Sequence, residues 1–213
     1  IGELTKPEVR EIAKEIGLVT AEKKDSQGLC FIGKVRLPEF LKQQLQPKEG
    51  EIVEIFKDFN VFHQEKPVFS TKVEELEYLS AKIQYKKEDG KVIGKHQGAQ
   101  YYTIGQSKGL GIGGHKESCF CIHRDMANNI LFVGEGSHFP GLFRKALKID
   151  NVEVHWVRED LRLKNGESRE LMVRIRYRQA LEKATLYQFE EGLFIEFENP
   201  QSAIAEGQFA AWY

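Results

Sequence analysis

The chain has 213 residues, a length that accommodates one or two domains, and its 31 basic and 32 acidic residues leave a formal net charge of −1. This balance gives no electrostatic sign of a nucleic-acid partner, so any RNA-binding surface must be local. The sequence contains no apolar run long enough to span a membrane, and its three cysteines fit a reducing compartment. We therefore expect a cytoplasmic protein without membrane association.

The first predicted element is a short helix that begins after Thr5. Thr5 and Glu8 have the spacing of a capping box, and apolar residues recur at helical intervals from Val9 to Ile16. Gly17 suits the left-handed conformation that ends many helices. A second short helix is predicted within residues 37–46.

A glycine-bracketed loop that carries Cys30 lies between these two helices. Lys23 and Lys24 precede it, and Gly28 and Gly33 permit a sharp turn that presents the sulfur at a surface. Nearby ammonium groups and open backbone amides favour the reactive thiolate. The residues alone also allow a buried, inert cysteine that packs as a small apolar side chain.

The rest of the chain has the pattern of β-structure. Short alternating runs from about residue 50 predict a small antiparallel sheet, and the Lys- and Glu-rich residues 56–89 are expected to form a surface hairpin. After Gly141 the strands are longer, and about six of them in the last seventy residues predict a small barrel. Leu171, Val173, Ile175 and Tyr177 alternate with polar residues, as do Leu193, Ile195 and Phe197. The expected fold class is α+β, mostly β, with a short helical N-terminal segment.

A glycine-rich run and a cluster of metal-ligand residues each suggest a site that we do not expect. The run from Gly109 to Gly114 matches G-x-G-x-x-G, but a strand is predicted after it instead of the helix that a dinucleotide site needs. Zinc-ligand side chains cluster in the next residues, and the last three of them are expected on one strand face: His115, Cys119, Cys121 and His123. A single strand seldom encloses a tetrahedral ion, so we expect ordinary packing and no metal.

Three arginines mark a candidate phosphate-binding face. Arg174, Arg176 and Arg178 are expected on one side of a strand, where planar guanidinium groups suit successive phosphates. The alternative is a solvated face balanced by Glu196 and Glu198 on a neighbouring strand. The residues alone leave both interpretations open.

Several long, ungapped motifs resemble those of the tRNA-specific 2-thiouridylases (tRNA-uridine 2-sulfurtransferases). The first is Asp25-Ser-Gln-Gly-Leu-Cys30-Phe-Ile-Gly, and the others lie at residues 2–10, 94–98, 102–114, 176–179 and 207–208. The likeness covers nearly the whole chain.

The resemblance implies three structural parts. Residues 1–47 would be the end of the nucleotide-binding catalytic domain with the Cys30 loop, residues 48–141 a central domain with an insertion at about 56–89, and residues 142–213 a β-barrel similar to those of elongation factors. In that family the ATP-binding loop and the first catalytic cysteine precede the segment that matches Ile1. We therefore expect this chain alone to hold no ATP site and to be inactive.

The resemblance also implies a reaction and its residues. The family uses ATP to activate the wobble uridine of tRNA and then transfers sulfur from a persulfide on the cysteine that matches Cys30; the two catalytic cysteines can end as a disulfide. A sulfur-relay protein or cysteine desulfurase supplies the persulfide. Residues that match the tRNA contacts are Arg178, Gln179 and Gln208, with Arg176 beside them.

Two other classes of protein remain as alternatives. One is a non-enzymatic RNA- or ribosome-binding module in which Cys30 is structural. The other is a small thiol redox protein, which the absence of a C-x-x-C motif disfavours.

Overall fold

A computed structural model describes residues 4–22, 45–177 and 179–213. The chain divides into two compact units, Ile1–Gln46 and Pro47–Tyr213. Both the Cys30 loop and almost all of the helix predicted within residues 37–46 lie outside the described residues. Within the described ranges, no helix has the length and apolar composition needed to cross a bilayer.

The first unit contains the predicted N-terminal helix, α1 (Lys6–Glu15). The Glu8 carboxylate accepts hydrogen bonds from the backbone N–H of Thr5 at 2.5 Å and from its hydroxyl at 2.6 Å. At the other end Gly17 has a φ of 73°, and the Leu18 N–H bonds to the Ala13 carbonyl at 2.9 Å. This bond and the left-handed glycine are those of a Schellman motif, so the predicted start and stop of the helix are confirmed.

The second unit begins with a four-stranded sheet in the order β2-β1-β4-β3. Its strands are β1 (Gly50–Glu54), β2 (Lys91–His96), β3 (Cys119–Asp125) and β4 (Ile130–Glu135). The expected small sheet is confirmed, except that β1 and β4 are parallel. A parallel pair requires a long connection, and the chain between β1 and β4 is long enough to supply it.

Both faces of this first sheet are buried. Ile52, Leu131 and Val133 pack on one face with the loop residue Leu110. Val53, Ile55 and Phe132 belong to a cluster on the other face, which also contains Tyr85 and Phe139. Loops therefore cover the sheet where water would otherwise reach it.

The C-terminal sheet has five antiparallel strands in the order β5-β8-β7-β6-β9. The strands are β5 (Phe143–Ile149), β6 (Ser168–Arg174), β7 (Glu182–Phe189), β8 (Gly192–Ser202) and β9 (Ala211–Trp212). The mostly β, α+β class is confirmed. The barrel is not closed in the described residues, because the edge strands β5 and β9 do not pair and β9 has only two residues.

The predicted surface hairpin at residues 56–89 is wrong, because this segment contains the helix α2 (Lys72–Ser80). The Thr71 hydroxyl caps the helix by accepting a hydrogen bond from the Glu74 N–H at 3.2 Å. Leu76 is fully buried against Ala146 of β5 and Phe194 of β8. The segment thus folds back onto the C-terminal sheet, and Lys72 and Glu77 of the helix pair with Glu196 of β8 and Lys148 of β5.

Candidate RNA-binding surface

The described residues of the motif at 176–179 lie directly after β6, where the chain turns. The strand ends at Arg174, so the prediction that it continues through Arg178 is wrong. The Gln179 side chain accepts a hydrogen bond from the Ile175 N–H at 3.1 Å, and the Gln179 N–H bonds to the Arg176 carbonyl at 3.2 Å. These bonds close the turn after β6, where the backbone hydrogen bonds between β6 and its neighbouring strands end. Arg178 itself lies outside the described residues.

The structure also changes the interpretation of the other charges near β6. The Arg174 guanidinium lies over the ring of Tyr213 at 5.4 Å. Strand β6 pairs with β7 and β9, whereas Glu196 and Glu198 lie on β8, so they do not balance a β6 arginine face. Glu196 instead bonds to Lys72 of α2 at 2.8 Å. The expected strand face of three arginines and its balance by Glu196 and Glu198 are therefore wrong, whereas phosphate binding by these arginines stays a prediction.

Arg176 and Gln179 join the turn after β6 to the end of β8. Arg176 Nη2 donates to the carbonyls of Ser202 at 2.5 Å and Ala203 at 2.6 Å. Gln179 Nε2 donates to Gln201 Oε1 at 2.6 Å, and Gln201 is only 7% exposed. The side chains of two of the predicted tRNA-contact residues, Arg176 and Gln179, therefore bond to other residues of this chain.

The segment that follows β8 presents the second motif to solvent. Gly207 has a φ of 80°, and Gln208 after it is exposed. The next residue, Phe209, is 93% exposed, and Tyr177 in the motif at residues 176–179 is 86% exposed. Because Arg176 bonds to residues 202 and 203, the two motifs belong to one region of the surface. Sequence reasoning missed Phe209, although an aromatic residue directly after Gly207-Gln208 was a usable signal.

The two described cysteines belong to the core of the first sheet. Burial raises the pKa of Cys119 to about 11 and that of Cys121 to about 12. A bulge between Cys121 and His123 changes the side-chain alternation, so His123 packs against Tyr85 and Phe132 on the opposite face. The expectation that Cys119, Cys121 and His123 share one face is therefore wrong for His123.

The predicted metal-ligand cluster is only partly brought together. His115 Nε2 lies 3.1 Å from the buried carboxylate of Glu54, and the ligand atoms of these two residues and of Cys119 lie within 4.8 Å of one another. A hydrogen bond between His115 and Glu54 accounts for this arrangement. The absence of a metal stays a prediction.

The glycine-rich run forms a loop, as its sequence context indicated. Gly109, Gly111 and Gly114 have positive φ values of 78°, 69° and 85°. In the described residues that follow, the next element is the strand β3. The run therefore does not have the strand-to-helix setting of a dinucleotide site.

Three family models match successive parts of the chain. The tRNA methyl transferase HUP domain matches residues 1–34, the tRNA methyl transferase PRC-barrel domain residues 77–135, and the aminomethyltransferase β-barrel domain residues 144–213. Together these models cover most of the chain, including nearly all of the C-terminal sheet and three of the four strands of the first sheet; β1 lies outside the matched ranges.

Relatives with high identity align along the full chain. A protein of Flavobacterium johnsoniae named tRNA-specific 2-thiouridylase MnmA is 62% identical over 213 residues, which is 100% of this chain and 54% of that protein. Proteins of the same name from Christiangramia forsetii and Pseudomonas entomophila are 54% and 39% identical and are covered to 54% and 48%. The chain spans about half the length of the curated relatives it matches. It belongs to the tRNA-specific 2-thiouridylase family.

Proposed function

We propose that this chain is the sulfur-carrying and tRNA-binding portion of an enzyme that 2-thiolates the wobble uridine of tRNA. The observation that carries the proposal is the 62% identity along the whole chain to a relative named tRNA-specific 2-thiouridylase. The reaction, its substrates and its partners belong to the complete enzyme, of which this chain supplies the Cys30 loop and the β-rich unit.

The proposed chemistry has an activation step and a sulfur-transfer step. ATP activates the uridine by adenylating its C2 oxygen with loss of pyrophosphate, which makes that oxygen a good leaving group. The terminal sulfur of a Cys30 persulfide then attacks C2, and AMP leaves with the oxygen. The thiolate of a second catalytic cysteine attacks Cys30 Sγ, which leaves sulfur on the uridine and joins the cysteines as a disulfide. A thiol reductant restores both cysteines.

The proposed partners follow from these steps. The segment before Ile1 binds ATP, and a sulfur-relay protein or cysteine desulfurase reloads the persulfide on Cys30. Because the substrate is tRNA and the cycle needs reduced thiols, we place the enzyme in the cytoplasm.

The geometry of the surface separates two kinds of residue within the proposed tRNA contacts. Gln208 is exposed next to Phe209, whose ring is available to stack on an unpaired base. Arg176 and Gln179 are bonded to residues 201–203 and hold the surface together. We therefore assign Gln208 to direct contact with tRNA, and Arg176 and Gln179 to positioning. The family resemblance alone supports our assignment of Arg178 to direct contact.

Two sets of variants of the full-length enzyme test this proposal. Cys30→Ser should abolish 2-thiouridine formation in tRNA and leave tRNA affinity unchanged. Arg178→Ala should weaken tRNA binding and flatten its log–log salt dependence by about 0.7 to 0.9, the share of one phosphate contact. The matched control is Arg158→Ala, which removes an exposed arginine that is paired with Asp160 on the same unit.

The outcomes distinguish the enzyme from a non-enzymatic RNA-binding module. Normal thiolation by Cys30→Ser would reject the catalytic role and favour the module with a structural cysteine. An unchanged salt slope for Arg178→Ala would reject that arginine as a phosphate ligand. Equal effects of Arg178→Ala and Arg158→Ala would show that only net charge matters.

A further inference from the structure

The three most exposed aromatic side chains of the described residues lie around β6 and β9 of the C-terminal sheet. Phe209 is 93% exposed, Tyr177 86% and Tyr213 66%, whereas the next most exposed rings, Phe56 and Tyr78, are each 45% exposed. A single exposed apolar side chain is common on a protein surface, but a group of them marks a binding site. We call Tyr177, Phe209 and Tyr213 the aromatic platform.

The alternation of side chains along β9 explains why two of these rings point away from the protein. Ala210 and Trp212 pack against the core of the C-terminal sheet. Because successive side chains of an extended chain point to opposite faces, Phe209, Ala211 and Tyr213 share the outer face. The rings are therefore exposed by the way the strand is built.

The backbone that presents Phe209 is anchored on both sides. Before it, Arg176 Nη2 donates to the carbonyls of residues 202 and 203 at 2.5 and 2.6 Å. After it, the Tyr213 N–H donates to the Met172 carbonyl at 2.9 Å. A ring held on an anchored segment loses little freedom when a ligand stacks on it.

The charge around the platform is locally positive, although the whole chain has a formal net charge of −1. Residues 171–180 include three arginines and no acidic residue, and residues 207–213 include no charged residue. The nearest acidic residue before Gly207 along the chain, Glu206, forms an ion pair with Lys82. This local charge is complementary to a phosphate backbone.

One of these arginines is attached to the platform itself. Arg174 lies opposite Ala211 in the pairing of β6 with β9, and its guanidinium lies over the Tyr213 ring at 5.4 Å. Arg174 forms no ion pair with a carboxylate of the described residues. Contact with a ring orients a guanidinium and leaves its positive charge in place, so the group can still pair with a phosphate.

Exposed rings beside arginines suit single-stranded RNA, whose unpaired bases stack on aromatic side chains while its phosphates meet cations. A duplex offers phosphates but no free base faces. We infer that the aromatic platform binds an unpaired stretch of tRNA, with one base stacked on Phe209 and a nearby phosphate on Arg174. This inference rests on the proposed function and adds two contact residues that lie outside the motifs at 176–179 and 207–208.

Three substitutions of Phe209 in the full-length enzyme test the stacking contact. Phe209→Ala should lower tRNA affinity by about five- to 150-fold, the share of one stacked base, and Phe209→Leu should do nearly the same because it has no ring. Phe209→Trp should retain the affinity. The melting temperature should not change, since the side chain is 93% exposed. Tyr78→Ala, which removes a half-exposed ring of α2, is the control and should leave tRNA affinity unchanged.

Salt dependence and fluorescence separate the base contact from the phosphate contact. Arg174→Ala should flatten the log–log salt dependence of tRNA binding by about 0.7, whereas Phe209→Ala should leave the slope unchanged. The fluorescence of Phe209→Trp should be quenched by tRNA and by a single-stranded RNA oligonucleotide, but not by a blunt RNA duplex of equal charge. The wild-type protein, with Trp156 and Trp212 alone, supplies the background.

The outcomes separate this inference from the proposed function. If the wild-type enzyme binds tRNA and makes 2-thiouridine while Phe209→Ala binds tRNA equally well, the platform is rejected and the function stands. If single-stranded RNA quenches Phe209→Trp but the enzyme makes no 2-thiouridine, the function fails and the platform stands. Quenching by the duplex would reject stacking. Slower persulfide loading in Phe209→Ala with unchanged tRNA affinity would also reject the inference and assign the surface to the sulfur-donor protein.

Discussion

Replacement of Gln179 by alanine tests whether this residue contacts RNA or holds the protein surface in place. The substitution removes two hydrogen bonds, from the Ile175 N–H at 3.1 Å and to Gln201 Oε1 at 2.6 Å. Each bond is worth about 1 kcal/mol, and the stranded Gln201 oxygen adds a cost that water entering the vacated space offsets. We expect the region to lose about 2 kcal/mol of local stability.

Hydrogen exchange measured by mass spectrometry reports this loss at the site itself. Peptides that cover residues 171–180 and 196–204 should exchange about 30-fold faster in Gln179→Ala, since 2 kcal/mol corresponds to that change in a local opening equilibrium. Exchange in β1 and β4 should be unchanged. Affinity for tRNA should fall only modestly, because the contacts are displaced but not deleted.

The control is Gln84→Ala, which truncates an exposed glutamine with one long bond, from Nε2 to the Lys82 carbonyl at 3.4 Å. It should alter neither exchange nor tRNA affinity. Unchanged exchange in Gln179→Ala, together with a loss of tRNA affinity as large as that of Arg178→Ala, would refute the positioning role and make Gln179 a direct ligand.

Brief iodoacetamide treatment near neutral pH should label Cys30 well before Cys119 and Cys121, whose pKa values burial raises to about 11 and 12. Leu76→Ala should destabilise the docking of α2 by about 2–5 kcal/mol, visible as faster hydrogen exchange in β5 and β8. Burial lowers the pKa of His123, so its contribution to stability is complete above the unfolded-state pKa and is lost as the pH falls towards the folded-state value. The melting temperature should therefore drop between about pH 7 and pH 5, and less so in His123→Phe.

These three predictions have equally specific controls. Equal labelling of the three cysteines would contradict the burial argument. Tyr78→Ala, on the exposed side of α2, should leave exchange in β5 and β8 unchanged. A pH profile of His123→Phe identical to that of the wild type would show that other groups cause the pH dependence.

Elements with a complete local signal were predictable from the sequence. The helix α1 carries its own start at Thr5 and its own stop at Gly17, and both behave as the pattern indicated. In β8 the alternation of Leu193, Ile195 and Phe197 correctly marks the core face. Each of these signals involves residues a few positions apart, so no tertiary contact was needed to interpret it.

The errors arose where distant residues decide the local structure. Phe194 is buried on the supposedly outer face of β8 because α2 covers it. The prediction extended β6 beyond Arg174, because the side chain of Gln179 that helps to end the strand is held by Gln201, which lies 22 positions away. The bulge that moves the His123 side chain to the other face of the sheet depends on the pairing between β3 and β4. Periodicity within one segment contains no information about such partners.

The placement of α2 has a consequence for how the chain folds as it is synthesised. The helix is made early, between β1 and β2, but the side chains that bury Leu76 are Ala146 and Phe194. A nascent chain that ends at residue 142 therefore presents an apolar helix face with nothing to cover it. Such surfaces attract chaperones and promote aggregation until their partners emerge. The first sheet can form from its own strands, but α2, which lies in the connection between β1 and β2, cannot dock until β8 has been synthesised.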